Sequence, residues 1–126
     1  MALYEARRRR ELRSYVFVAT AASIDSNIFI ADKPCILKEV KYVNTISAAS
    51  ATLDLKKCTG TTVPASGTTM LSAAIALDTT INTVTTRTLT STAANLVLQP
   101  GDRIAADLTG TITGISTAVQ FVIETI

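Results

Sequence analysis

Short runs of alternating apolar and polar residues recur along the chain from residue 14 to its end. A period of two residues is typical of β-strands, whose successive side chains point to opposite faces of a sheet. The pattern predicts eight or nine short strands, within residues 14–20, 27–31, 35–45, 51–59, 70–78, 84–90, 95–99, 103–109 and 118–126. Turn-forming residues separate them at spacings near ten residues, so the sequence predicts an antiparallel β-sandwich or barrel with little helix.

A hairpin is predicted between the strands at 35–45 and 51–59, with its turn at Ser-Ala-Ala-Ser. This hairpin would bring Cys35 and Cys58 close to each other, so a disulfide is geometrically possible. We expect two free thiols instead, because a β core of this length needs no covalent link and an intracellular site of synthesis keeps thiols reduced. The stretch 60–67 is predicted to be a loop, and Pro100-Gly101-Asp102 a tight structural turn.

Composition and charge divide the chain into an arm and a body. The 126 residues include 21 Thr and 18 Ala but no Trp, which suits closely packed strands in one domain. The first thirteen residues hold five arginines and two glutamates, a net charge of +3, while the remaining residues sum to −1. We therefore predict a basic, extended N-terminal arm over residues 1–13 and a β-sandwich domain over residues 14–126.

The residue inventory argues against catalysis. The chain has no histidine, which excludes Ser-His-Asp and Cys-His nucleophilic sites as well as His-ligated metals. No phosphate-binding glycine motif and no calcium loop are present. Five carboxylates could in principle form an acid–base pair, and we interpret them as solvent-facing strand and turn residues: Glu39, Asp54, Asp102, Asp107 and Glu124. The sequence thus predicts no enzymatic activity, no cofactor, no metal and no small-molecule substrate.

The arginines of the arm are the candidate binding residues. They are Arg7, Arg8, Arg9, Arg10 and Arg13. Nucleic acid is an improbable partner because the body lacks the spread of basic and aromatic residues that such binders carry. No window of 18 apolar residues is present and the arm has no apolar face, so a membrane partner is not expected. An acidic protein surface is favoured, because arginine pairs carboxylates bidentately, while a solvated tail without a partner is the alternative.

Four segments resemble a known group of proteins. These are PCILKEVKYV, ATLDLKK, MLSAAIALD and NLVLQPGDRIAADL, within residues 34–126. In pattern and composition they resemble the small jelly-roll proteins of tailed-bacteriophage virions, in particular capsid decoration (cement) and head-fibre-like proteins. The resemblance implies a jelly-roll β-sandwich that forms a homotrimer, binds the major capsid protein and stabilises the head shell, often through a basic terminal arm.

The expected function is therefore that of a structural virion protein. It would be made in the cytoplasm of the bacterial host and lie on the exterior of the capsid. The main alternative is a trimeric tail-fibre or receptor-binding tip module. A carbohydrate-active or lectin-like domain is a further alternative, in which glycan binding would depend on Tyr4, Tyr15 and Tyr42.

Overall fold

The computed structural model describes residues 11–20, 25–46, 50–78, 80–111 and 115–126. They form ten strands: β1 (Leu12–Thr20), β2 (Ser26–Ile30), β3 (Cys35–Ile46), β4 (Thr52–Cys58), β5 (Thr68–Thr69), β6 (Ile75–Ala76), β7 (Thr85–Arg87), β8 (Val97–Leu98), β9 (Arg103–Thr109) and β10 (Ser116–Thr125). The helical segments in the described part of the chain are two short 3₁₀ turns, Pro64–Ser66 and Ala93–Leu96. Neither has the length or apolar character that a membrane span requires.

The strands form two antiparallel sheets that pack as a sandwich. In the first sheet the order is β1-β10-β3-β7, and β8 pairs with another part of β3. In the second sheet the order is β2-β9-β4-β5, and β6 also pairs with β4. The chain crosses repeatedly from one sheet to the other, as in a jelly roll. The prediction of an all-β, antiparallel jelly-roll sandwich is confirmed.

The predicted hairpin between residues 35–45 and 51–59 is wrong. β3 pairs with β10 in the first sheet, whereas β4 pairs with β9 in the second. Each strand has one continuous apolar face, and these faces pack across the sandwich when the two strands lie in opposite sheets. Cys35 and Cys58 are consequently opposite different residues, Leu98 and Arg103, and both thiols are free and buried.

Three predicted strands are much shorter in the structure. Within 70–78 only Ile75–Ala76 is a strand, within 84–90 only Thr85–Arg87, and within 95–99 only Val97–Leu98. The buried residues Met70, Leu71, Ile75 and Leu77 do not keep a period of two, so a single straight strand could not bury them all. The chain bends instead, and backbone hydrogen bonds tie it to β4 and to the residue before it, from Met70 N to Leu55 O and from Leu77 N to Ala51 O.

The core lies between the two sheets and is closed on one side by aromatic rings. Its largest fully buried side chains are Phe121, Leu37, Leu53, Leu55, Met70, Leu71, Ile75, Leu77, Leu98, Ile104, Ile123 and Val40. Tyr15 of β1 stacks on Phe121 of β10 with ring centroids 5.4 Å apart, and Phe29 of β2 lies 5.0 Å from Tyr15. Because Phe29 belongs to the second sheet, this trio joins the sheets beside their edge strands.

The first strand begins earlier than predicted. β1 starts at Leu12, and Glu11 is already bound to the neighbouring strand, because Thr125 N donates to Glu11 O at 2.9 Å. Arg13 is opposite Ile123 in the β1–β10 ladder. The strand predicted at 14–20 therefore starts two residues earlier, while residues 1–10 lie outside the described part of the chain and the division into arm and body stays a prediction.

Gly110 allows two connections to cross closely. It ends β9 with a φ of +88°, and a Cβ at this position would collide with the carbonyl oxygen of Ser50, just before β4. Gly101 has a nearly equal φ of +91°, but a Cβ added there would have no neighbouring atom within 4 Å. Both positions favour glycine by conformation, and only Gly110 also requires it for space.

We predict that Gly110→Ala destabilises the fold more than Gly101→Ala. The left-handed φ penalises both variants similarly, whereas the collision with Ser50 adds a packing cost of about 1–3 kcal/mol at Gly110 alone. Denaturant unfolding of both variants measures the difference. Equal free energies of unfolding would contradict the close approach.

Candidate interaction surfaces

Of the five predicted binding arginines, the structure describes one. Arg7, Arg8, Arg9 and Arg10 lie outside the described residues. Arg13 belongs to β1, and its Nη2 lies 3.0 Å from Glu11 Oε2. This hydrogen bond to the Glu11 carboxylate, together with one to Tyr15, raises the pKa of Arg13. Arg13 is thus a partly exposed cation with an acidic neighbour on its own strand.

A groove lies between the edge strands of the two sheets. It has a volume of about 470 Å³ and is bordered by β1 on one side and β2 on the other. Arg13 and Asp32 provide its charged groups, while Tyr15 and Phe29 form its apolar wall. Tyr15 and Phe29 pack on each other and Arg13 pairs with Glu11, and the residues that line the groove include no Ser or Cys and only one carboxylate.

The outer face of the first sheet exposes aliphatic side chains. Val16 and Val18 of β1 are 65% and 55% exposed, and Val84, next to β7, is 67% exposed. The ladder places Ala118 of β10 between Val18 and Val43 of β3, which continues the apolar row across the sheet. A shallow depression of about 150 Å³ lies beside this row and is lined by Val16, Val43, Val84 and Ala118 together with Lys41, Tyr42 and Gln120. We call this surface, formed by Val16, Val18, Val43, Val84 and Ala118, the valine face.

The sequence contained a signal for the valine face that the strand prediction did not use. Residues 15–18 read Tyr-Val-Phe-Val, so β1 is apolar on both of its faces and not only on the one that alternation assigns to the core. Tyr15 and Phe17 pack against the core, which leaves Val16 and Val18 outside. A strand with two apolar faces indicates a second buried surface.

The outer face of the second sheet carries an ion cluster instead. Asp54 of β4 and Asp107 of β9 are direct cross-strand partners. Lys56 Nζ lies 2.9 Å from Asp107 Oδ2, with both side chains less than a fifth exposed, and the Thr69 hydroxyl donates to Asp54 Oδ1 at 3.0 Å. These two carboxylates are therefore packed and paired, which corrects their interpretation as solvent-facing residues.

The other candidate carboxylates are dispersed. Asp102 Oδ2 accepts from Gln99 N within the predicted tight turn, and Glu39 forms an exposed ion pair with Lys41 at 3.0 Å. Glu124 lies in β10 of the first sheet. Within the described ranges, no group of three or more His, Cys, Asp or Glu side chains is placed to hold a metal ion. Of the five candidate carboxylates, only Asp54 and Asp107 are partners of each other across two strands. Lys56 pairs with Asp107, while Asp54 accepts a hydrogen bond from Thr69.

Comparisons with known proteins bear on the fold. No family model matches the chain, and no curated protein matches it. Among solved structures it is similar to a chain of the Bacillus endospore appendages, described as a novel family of disulfide-linked pili. That match has 11% identity and a TM-score of 0.48, and covers 92% of this chain and 87% of that chain. It is also similar to a chain of infectious bursal disease virus, Gx strain, with 16% identity and a TM-score of 0.38, covering 94% of this chain and 32% of that chain. The resemblance to phage decoration proteins stays a prediction.

We predict that Asp54→Asn becomes more stabilising, relative to the native chain, as the pH rises. Burial raises the pKa of Asp54, more than its bond from Thr69 and its attraction to Lys56 lower it. The native state then holds this proton more tightly than the unfolded state, so ionisation costs stability as the pH rises from about 3.9 through the raised pKa. Asparagine keeps the acceptor for Thr69 and removes the charge.

Thermal unfolding at about pH 3.5 and pH 7 measures this effect. Asp32→Asn, at an exposed turn position, is the control. A stability difference between Asp54→Asn and the native chain that stays constant or falls with pH would refute the prediction.

Proposed function

We propose that the protein is a non-enzymatic structural protein that assembles with copies of itself and decorates a bacteriophage capsid. The observation that carries the proposal is the valine face. Three valines more than half exposed on one sheet face are unfavourable in water, and burying each removes apolar surface worth roughly 25 cal/mol per Å². A contiguous apolar surface of this kind favours contact between subunits over a role as an isolated monomer.

The electrostatics of the body support assembly over catalysis. Asp107 forms an ion pair with Lys56 and Asp54 accepts a hydrogen bond from Thr69, so both carboxylates are engaged within the cluster. In the groove between β1 and β2 the rings of Tyr15 and Phe29 pack on each other, and Arg13 pairs with Glu11. The described surface instead presents sheet faces and strand edges, through which structural proteins can contact one another.

The finer assignment draws on the sequence. The decoration-protein resemblance supports a homotrimer that binds the major capsid protein from the capsid exterior, with Arg7–Arg10 contacting acidic groups of the shell. Ordering such an arm costs about 1–2 kcal/mol per residue of backbone entropy. Charge-assisted hydrogen bonds of roughly 1.5–3 kcal/mol each would offset that cost, and three arms on one trimer would add avidity.

A tail-fibre or receptor-binding tip module is the second candidate. Such modules bind through exposed aromatic or polar clusters in loops. In the described residues the aromatic side chains lie in strands, and Tyr15, Phe29 and Phe121 pack on one another. This arrangement favours the capsid role.

We expect the isolated protein to be a homotrimer in solution. Light scattering should give a mass of three times 13.3 kDa at micromolar concentrations, because burial of the valine face holds the subunits together. A monomer mass over the same range would contradict self-assembly through this surface.

Deleting residues 1–10 is expected to abolish most binding to capsids without changing the stability of the fold. The cut leaves the β1–β10 ladder intact, since its described pairing begins with Glu11 and Thr125. Co-sedimentation with empty phage heads should fall sharply, and binding of the full chain should weaken as salt approaches 1 M, where screening acts within about 3 Å.

A variant with Arg7–Arg10 replaced by glutamine is the matched control for length. It should lose head binding as the truncation does. If the truncated protein decorates heads as well as the full chain, the arginines are a solvated tail and the arm has no role in attachment.

A further inference from the structure

β1 is a long edge strand without the features that usually protect such edges. It has nine residues, contains no proline, and keeps an unbroken register with β10 from Leu12 to Thr20. The other edge strands are shorter: β2 has five residues and a register irregularity, and β5, β6, β7 and β8 have two or three. Exposed edges are usually blunted by charges, bulges or a covering segment, because they pair readily with other strands.

The hydrogen bond of Glu11 shows which residues of β1 face the open edge. Thr125 N donates to Glu11 O, so the backbone groups of Glu11 point toward β10. Groups alternate along an antiparallel strand, so those of Arg13, Tyr15, Phe17 and Ala19 also point toward β10. Those of Leu12, Ser14, Val16 and Val18 point away from it. β1 pairs with no strand besides β10 in the described part of the chain.

We propose that the β1 strands of two copies pair antiparallel about a two-fold axis at Val16. In this register Val16 faces Val16 of the second copy as a hydrogen-bonded pair, and Ser14 faces Val18 of the second copy. The two first sheets then form one continuous sheet across the subunit boundary. This is an isologous contact, in which each copy contributes the same strand.

Three features of β1 favour a second copy in this register. It pairs the middle of the strand, so the outward-facing backbone groups of Ser14, Val16 and Val18 gain partners. It places Tyr15 opposite Phe17 of the second copy on the core side, and aromatic cross-strand pairs contribute roughly 0.2–1 kcal/mol each. It places the single charge of the strand, Arg13, opposite an alanine, whereas a register centred at residue 13 would oppose two arginines.

The pairing also enlarges the apolar surface. Val16 and Val18 lie at the margin of the valine face, next to the open edge, so the two valine faces become neighbours on one side of the joined sheet. The contact goes beyond the proposed function, because it joins two trimers as readily as two single chains. The mass of the assembly therefore does not test the edge pairing. The test has to measure whether the outward-facing backbone groups of β1 are hydrogen-bonded.

Other occupants of the edge are distinguishable from a second copy. Residues 1–10 of the same chain carry four consecutive arginines, which suit a strand partner poorly, and their pairing would not depend on protein concentration. A contact through the valine face alone would bury side chains and leave the outward backbone groups of β1 in water.

Amide hydrogen exchange of the full chain, followed residue by residue over a range of protein concentrations, tests the proposal. At low concentration the amides of Arg13, Tyr15, Phe17 and Ala19 should be protected and those of Ser14, Val16 and Val18 should exchange freely. At high concentration the second group should become protected as well, by tenfold or more in exchange rate. Protection of Ser14, Val16 and Val18 that is already present at low concentration and does not change with concentration would indicate an intramolecular strand. Free exchange of these three amides at every concentration would indicate an unpaired edge, and either result would overturn the proposal.

Two lysine substitutions separate the edge from the face. Val16→Lys places two like charges opposite each other at the two-fold axis, where Cα atoms are about 5.5 Å apart. Val84→Lys adds the same charge at an equally exposed position of the same face, 67% against 65%, but away from the edge. We expect only Val16→Lys to raise, by about tenfold, the concentration at which the Ser14 and Val18 amides become protected, a change equivalent to about 1.4 kcal/mol.

The mutants also provide the opposing outcomes. If neither substitution alters the protection, or if the Ser14, Val16 and Val18 amides never gain protection while the chain oligomerises, the strands do not pair at this edge. Such a result would contradict the edge pairing but not the proposed assembly through the valine face. A protein that is monomeric at all concentrations would contradict both proposals.

Discussion

The structure depends on the burial of one face of each long strand against the opposite sheet. β3 and β10 contribute Leu37, Val40 and Phe121 from one side, and β4 and β9 contribute Leu53 and Ile104 from the other. A two-layer sandwich can bury only one face of each sheet, so each outer face has to be polar, be covered by another part of the chain, or contact another molecule. The two sheets meet this requirement in different ways.

The second sheet covers its outer face with its own chain. The segment between β4 and β5 folds over it, with Lys56 Nζ donating to Ala65 O and Gly67 packed against Cys58 and Lys56. A Cβ at Gly67 would lie 2.7 Å from Cys58 Sγ, so only glycine lets the segment come this close. Lys56 forms its ion pair with Asp107 under this cover, which explains how ionic groups occupy a partly buried face.

The first sheet has no such cover among the described residues, and its outer face is the one that carries the exposed valines. The asymmetry assigns different tasks to the two sheets. The second sheet covers part of its outer face with its own chain and exposes Ile30 of its edge strand β2, while the first has an apolar face and an open edge that meet at Val16 and Val18. A subunit contact at the apolar face or at the open edge would cover the first sheet, as the protein's own chain covers part of the second sheet.

Local alternation was sufficient to predict where the long strands lie, because burial alternates along most of β1, β4 and β10. β3 and β9 were predicted too, although a register shift interrupts the alternation of β3 and β9 buries three consecutive residues. Alternation failed for residues 70–78, where Met70 and Leu71 are both buried and the chain has to bend. It also failed for the pairing of β3 with β4, because nearness in sequence favours a hairpin while the match of apolar faces across the core decides the sheet. The prediction of binding residues had the same limit. The charge pattern identified Arg13 as a candidate, but the residues next to it depend on the pairing of β1 with β10.

The position of β1 relates these surfaces to the basic arm. Residues 1–10 join the sheet at Glu11, beside Thr125 and next to the exposed Leu12 and Ile126. The proposed arm would follow on from the end of the open edge, which separates the shell contact proposed for the arginines from the contacts proposed for the strand edge and the valine face. Each of these proposed contacts can be weak on its own. Assembly through the edge and the face would bring several arms together, and several weak attachments to one shell add up to strong binding.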